Sequence, residues 1–169
     1  KEVYKLANDF LRLYEDYYDD IYRYVYCKTG NPWDTDDIVS DVFLKAFRHF
    51  DSTRQTHKAW LVTIARNTIV DYYRKSGREF PGETPEGVTF LTVLEDLEHD
   101  LERACLKSAL SQLDAERFEL INLRFFCGLK FKEIAEVLGT KQANVKTRFY
   151  RTLEQLRKKV EACLASEKS

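Results

Sequence analysis

The chain has 169 residues, a formal net charge of −1, and 44% hydrophobic and 14% aromatic residues, with only 6 Gly and 3 Pro. That is enough apolar material for one domain or two small ones, the paucity of turn formers argues for mostly helix, and no apolar run approaches the ~18 residues of a membrane span. No signal-peptide pattern is present, and with no Met in the sequence the chain is expected to be trimmed of its initiator.

Residues 4–28 carry Phe10, Tyr14, Tyr17, Ile21 and Val25 at helical spacing, with Asp16, Asp19, Asp20 and Arg23 on the wet side. Gly30-Asn31-Pro32 breaks this helix. Asp34 or Thr35 is expected to cap the next, and Asp36 and Asp37 in its first turn suit the helix dipole. The second helix is expected to bury Ile38, Val39, Val42, Phe43, Ala46, Phe47 and Phe50 against Asp37, Asp41, Lys45 and Arg48 on its opposite face. After a polar loop at 51–56, a third helix over 57–74 turns Trp60, Leu61, Ile64, Thr68 and Ile69 inward, and three such helices can close one bundle. Residues 76–93 hold three of the six Gly and two of the three Pro and read as a linker; a short strand over Thr89 to Val93 is not favoured.

The second half is helical again. Leu94, Leu97, Leu101, Cys105 and Ser108 form a narrow stripe. Asp114 caps a helix carrying Phe118, Ile121, Leu123 and Phe125, ended by Gly128. Then comes FKEIAEVLGTKQANVKTRFYR, residues 131–151, with helix-turn-helix spacing. Ala135 allows close helix approach, Gly139 supplies a left-handed turn, and Val145 closes a small core with Ile134 and Leu138. The second of these helices exposes Gln142, Asn144, Lys146, Thr147, Arg148, Tyr150 and Arg151, side chains suited to phosphates and base edges. It continues through Leu153, Leu156 and Val160. Arg157, Lys158 and Lys159 lie too far along it to enter a groove. The expected fold is all-α: a bundle over 1–75, a flexible linker over 76–93, and a helix-turn-helix domain over 94–169.

Charge is segregated along this plan. Residues 58–78 carry 5 basic and 1 acidic side chains, 79–104 carry 1 and 8, and 105–169 carry 13 and 8. Two basic blocks separated by an acidic one suit two nucleic-acid contacts. The third helix mixes Trp60, Arg66, Asn67, Tyr72, Tyr73, Arg74 and Lys75, which fits stacking on unpaired bases and fits equally a core with a solvated cationic face. Asp34, Asp36, Asp37 and Asp41 fit helix capping or a docking face better than a divalent-metal site, because no second carboxylate cluster or catalytic His stands nearby. Cys27, Cys105, Cys127 and Cys163 show no CxxC or Cys/His pairing, so zinc is disfavoured and buried free thiols in a reducing compartment are expected. His49, His57 and His99 have no nucleophile partner, and no glycine-rich phosphate loop occurs.

The two halves together resemble a known family. DTDDIVSDVFLKAFRHFD and KAWLVTIARNTIVDYYRK resemble the second region of bacterial sigma factors. LSQLDAERFELINLRFFCGLKFKEIAEVLGTKQANVKTRFYRTLEQLRK resembles their fourth region. With no room for a third domain between them, the arrangement is that of the extracytoplasmic-function (group 4) branch of the sigma-70 family, over about residues 8–160. The resemblance implies a promoter-specificity subunit whose first domain binds the polymerase clamp and melts the minus-ten element. Its second domain would read the minus-thirty-five duplex and dock on the polymerase flap. It assigns polymerase contact to Asp36, Asp37 and Asp41. It assigns minus-ten contact to Arg54 and Lys58, in a loop that receives a flipped base, and to Arg66, Asn67, Arg74 and Lys75. Minus-thirty-five contact falls to Gln142, Asn144, Lys146, Thr147, Arg148, Tyr150 and Arg151, with Tyr150 and Arg151 reading bases or shape and Lys146 and Arg148 holding phosphate. The implied partners are core RNA polymerase, promoter DNA and an anti-sigma factor. No cofactor, metal, catalytic group or small-molecule substrate is implied, and the free chain is expected to be a cytoplasmic monomer, held at the membrane only through an anti-sigma factor. Lys141-Gln142-Ala143-Asn144 and the loop DSTRQTHK depart from the family's commoner sequences, so the promoter consensus does not carry over. The competing readings are a helix-turn-helix regulator with a dimerising or ligand-sensing bundle, and a metal nuclease using Asp34, Asp37 and Asp41.

Overall fold

The computed structural model describes residues 1–79 and 100–169. Within them the chain is helical: α1 Glu2–Thr29, α2 Pro32–Arg48, α3 His57–Ser76, α4 Asp100–Ser111, α5 Ala115–Ile121, a π turn Asn122–Phe126, α6 Phe131–Leu138 and α7 Gln142–Glu167. No strand occurs among the described residues; the segment Thr89 to Val93, with Leu94, Leu97 and His99, lies outside them.

The first three helices pack on one another as a bundle. Ile21, Val25, Ile38, Val42, Leu61 and Ile69 are buried at its centre. The cap of α2 differs from expectation. Asn31 fills it, its side-chain oxygen accepting from the backbone N–H of Trp33 at 2.8 Å and of Asp34 at 3.3 Å, with Pro32 following where a missing N–H costs nothing. Asp34 and Thr35 are instead buried inside the first turn. Thr35 Oγ1 sits 2.8 Å from the Asn31 carbonyl and 2.7 Å from Thr29 Oγ1. Phe47, expected in the core, is 54% exposed, its ring resting edge-on against Phe10 at 5.0 Å.

In the second half Asp114 caps α5 as expected, accepting from the Arg117 N–H at 2.8 Å. The helix then loosens into the π turn before Gly128. One wider turn shifts the register, so Phe125 is 60% exposed while Phe126 is buried. The helix-turn-helix forms as expected. Glu133 accepts from the Lys130 N–H at 2.7 Å at the start of α6. Gly139 turns at φ 65°, and the Thr140 N–H reaches the Ala135 carbonyl at 3.0 Å. Ile134, Ala135 and Val145 are buried between α6 and α7. The expectation of four free thiols holds for Cys27 and Cys127, both buried, and fails for Cys105 and Cys163, which form a disulfide between α4 and α7.

The two halves are not separate beads. Leu120, Leu123, Cys127, Leu129, Ile134 and Val137 from the second half belong to the same apolar cluster as the bundle core. α3 packs on α6, and α1 packs on the π turn.

Candidate nucleic-acid interface

On α7 the seven expected residues face outward, except Arg148, which is half-buried. The inward row is Val145, Phe149, Thr152 and Leu156, and with 3.6 residues per turn the outward residues fall into two arcs beside it. Asn144, Thr147, Arg148 and Arg151 line one shallow cleft with Thr140. Gln142, Lys146 and Tyr150 lie on the other arc, where Lys146 Nζ stands 5.9 Å above the Phe131 ring and Tyr150 meets Phe149 edge-on at 5.6 Å. Tyr150 is 59% exposed, an aromatic held in place by its neighbours yet open to a ligand. Arg148 is paired with Glu116 of α5, which fixes its guanidinium. Farther along, Arg157 is neutralised by Glu154 and Glu161, at 2.6 and 2.7 Å.

On the bundle the six expected cations and amides divide. Arg54 is exposed and lies 4.6 Å above the Trp60 ring. Asn67, Arg74 and Lys75 are exposed on α3, with Arg74 held by Asp71 at 2.7 Å. Lys58 and Arg66 are half-buried and engaged by other parts of the chain. Lys58 pairs with Asp20 at 2.8 Å. Arg66 pairs with Glu119 of α5 at 3.1 Å and donates to the Val137 carbonyl of α6 at 3.0 Å. A cleft of about 410 Å³ opens beside the 51–56 loop, with Trp60, Asn67, Thr68 and Asp71 on one wall and Lys45 and His49 on the other. Asn67 also borders a second cleft, of about 530 Å³, lined by Lys28, Arg66, Tyr73, Arg74 and Arg78.

The acidic run on α2 is split by the helix turn. Asp36 and Asp37 are exposed and Asp41 is half-exposed, paired with Lys45 at 2.9 Å. Asp34 faces inward and accepts from Tyr72 at 2.9 Å, Tyr73 at 3.1 Å and Arg78 at 2.8 Å. Burial alone would raise its carboxyl, but these three donors outweigh burial and hold it below the ordinary 3.8. Trp33, 79% exposed, together with exposed Leu44 and Phe47, shares the outward face with the three remaining carboxylates.

Both halves therefore present polar and aromatic groups suited to nucleic acid, in the order expected. The sequence matches Sigma-70 region 2 over residues 13–79 and Sigma-70, region 4 over residues 103–156. It is 30% identical over 150 residues to the ECF RNA polymerase sigma factor SigL of Mycobacterium tuberculosis, covering 86% of this chain and 85% of that one. The chain belongs to the ECF sigma factors of the sigma-70 family. This sigma factor is also 34% identical over 157 residues to the ECF RNA polymerase sigma factor BldN of Streptomyces coelicolor, covering 89% of this chain but 60% of the relative's length. Its fold aligns with CnrH, solved in complex with the cytosolic domain of CnrY, at a TM-score of 0.63 and 27% identity, over 90% of this chain and 88% of that one. Two region matches in sequence set aside the reading as an ordinary helix-turn-helix regulator.

Several residues of the sigma factor's surfaces escaped the sequence. Trp33 and Leu44 were legible only as apolar residues, since their outward direction depends on where α2 begins. Lys45 and His49 join the α3 cleft through packing of α2 on α3. Glu119, within the apolar run FELINL, is 5% exposed and faces the other half; a lone carboxylate in such a run was the available signal.

Proposed function

We propose that the sigma factor brings core RNA polymerase to promoters through two separate DNA surfaces, the outward arcs of α7 for minus-thirty-five duplex and the α3 face with the 51–56 loop for the minus-ten strand. The observation that carries this reading is the pairing of those surfaces in one chain, each with exposed polar side chains. Arg151, Asn144 and Thr147 share one cleft, and Asn67 and Trp60 share the other. Major-groove edges are read by such donors near the start of a helix. An unstacked base needs an aromatic wall and a hydrogen-bonding amide, which Trp60 and Asn67 supply, while Arg54, Arg74 and Lys75 answer phosphates. In this closed chain Lys58 and Arg66 are occupied by Asp20 and Glu119, so they join the strand only after those pairs part.

The polymerase contacts divide likewise. On α2, Asp36, Asp37 and Asp41 answer a basic partner around Trp33, an exposed aromatic of the kind that dominates binding energy. On the second half, a groove of about 430 Å³ between Leu106, Leu110, Phe125, Leu153 and Val160 is mostly apolar, with Arg157 and Glu161 completing its lining, and is suited to the flap. An anti-sigma partner that covers these faces would silence the factor; CnrH, a relative of known structure, is bound to the cytosolic domain of CnrY. No helix among the described residues is long and apolar enough to cross a membrane, and a cytoplasmic site of action follows from the proposed partners.

Run-off transcription tests the proposal. Core enzyme with this chain should yield a discrete transcript from cognate promoter fragments and none without it; tight dimeric binding to DNA with no effect on core enzyme would overturn it.

A further inference from the structure

Within the apolar contact between the two halves sits one buried carboxylate. Glu119 on α5 receives Lys28 Nζ at 2.8 Å, Arg66 Nε at 3.1 Å and the Tyr24 hydroxyl at 2.6 Å. Lys28 and Glu119 side chains are 8% and 6% exposed. Burial, then the neighbouring carboxylate, pushes the Tyr24 hydroxyl well above its ordinary 10.0, so it remains a donor. Around this centre Arg66 also holds the Val137 carbonyl, and a Cβ at Gly128 would stand 3.4 Å from Lys58 Nζ.

This arrangement conflicts with the use of both DNA surfaces at once. Elements named for positions minus ten and minus thirty-five lie about 25 base pairs apart, or roughly 85 Å at about 3.4 Å per step. A folded chain of this length, packed as one body, has a radius of gyration of only about 15 Å. The α3–α6 contact must therefore part before both elements are read. Glu119 suits an interface that has to open. Buried ion pairs add little net stability over apolar packing, because their ions regain hydration when exposed, yet a partner removed singly leaves an uncompensated charge.

We propose that Glu119, gripped by Tyr24, Lys28 and Arg66, is an intramolecular latch that holds the free sigma factor closed and keeps Arg66 from DNA until polymerase and promoter pull the halves apart. The latch rests on the two-surface reading above. It accounts for a feature that reading leaves unexplained: Arg66, a cation of the minus-ten set, is held by Glu119 and the Val137 carbonyl of the other DNA-reading half.

Charge reversal with small-angle scattering on the full chain tests it. Glu119→Lys places three cations together and should raise the radius of gyration by about a fifth or more with helicity unchanged. Lys28→Glu should do the same, and the double variant, with the pair restored in swapped order, should return to the wild-type value. An unchanged radius in both single variants at full helicity would overturn the latch, as would failure of the double variant to close. If Glu119→Lys loses helicity, Glu119→Gln, which keeps the shape, is measured instead, with an increase supporting the latch and no change overturning it. Run-off transcription separates the two claims: variants that open but direct no transcript support the latch and sink the promoter reading, while active variants that never open sink the latch alone.

Discussion

Asp34 shows how a single side chain is set by its surroundings. It is 7% exposed and accepts from Tyr72, Tyr73 and Arg78. Hydrogen bonds to a charged group contribute about 1.5–3 kcal/mol each in mutational series, with strong coupling among them, so Asp34→Asn should cost about 2 kcal/mol in urea unfolding at pH 7. Its folded pKa lies below the ordinary 3.8. The stabilisation is therefore complete above 3.8 and is lost as pH falls through the folded value, and the gap between wild type and Asp34→Asn should close in acid. Arg151→Ala should weaken use of the upstream element by about 1–3 kcal/mol if its contact is bidentate, measured as transcription from matched and mutated minus-thirty-five sequences; equal loss on both would mark a phosphate contact. Trp33→Ala and Asp37→Lys should each lower affinity for core enzyme in a direct binding titration, with unchanged affinity refuting that docking face. At this scale the exposed row on α7 was legible, because helix period alone places it. The engagement of Lys58 and Arg66 was not, because Asp20 and Glu119 lie 38 and 53 positions away in sequence.

Elements were legible where local chemistry decides them. The helix-turn-helix needed only Ala135, Gly139 and Val145, and Asp114 capped α5 as its type demands. Two misreadings have local causes. Asn31 and Pro32 together begin α2 earlier than Asp34, and the π turn rotates Phe125 out of the core. Neither is visible in apolar periodicity. The tie between α4 and α7 was also missed, since 58 positions separate Cys105 from Cys163 and no spacing motif links them. Closing a loop of that length restricts the unfolded chain by about 4 kcal/mol as an upper figure. Cys105→Ser should lower stability toward that extent under oxidising conditions, and excess dithiothreitol should bring the wild type down to the same midpoint. The other two thiols should resist alkylation in the native state, because burial pushes Cys27 up to about 12 and Cys127 well above 9.0.

For the molecule as a whole, the order of the two regions was readable, and their docking was not. Charge segregation suggested two independent heads, whereas Leu120, Leu123 and Leu129 complete the core begun by Ile21 and Leu61. A shared core predicts shared unfolding. Both Trp residues, Trp33 and Trp60, lie in the first half, so fluorescence reports that half while far-UV dichroism reports both. The two denaturation curves should coincide in the wild type and separate in Glu119→Lys.

The depth of Glu119 also predicts a response to salt. The cations proposed to meet DNA on α3 and α7, such as Lys75, Lys146 and Arg151, are exposed to solvent, where dissolved ions would weaken phosphate contacts steeply. The Lys28–Glu119 pair lies where ions scarcely reach. If Glu119 is the proposed latch, raising the ionic strength should erode the open, promoter-bound form more than the closed one, so the balance between them should shift with salt alone.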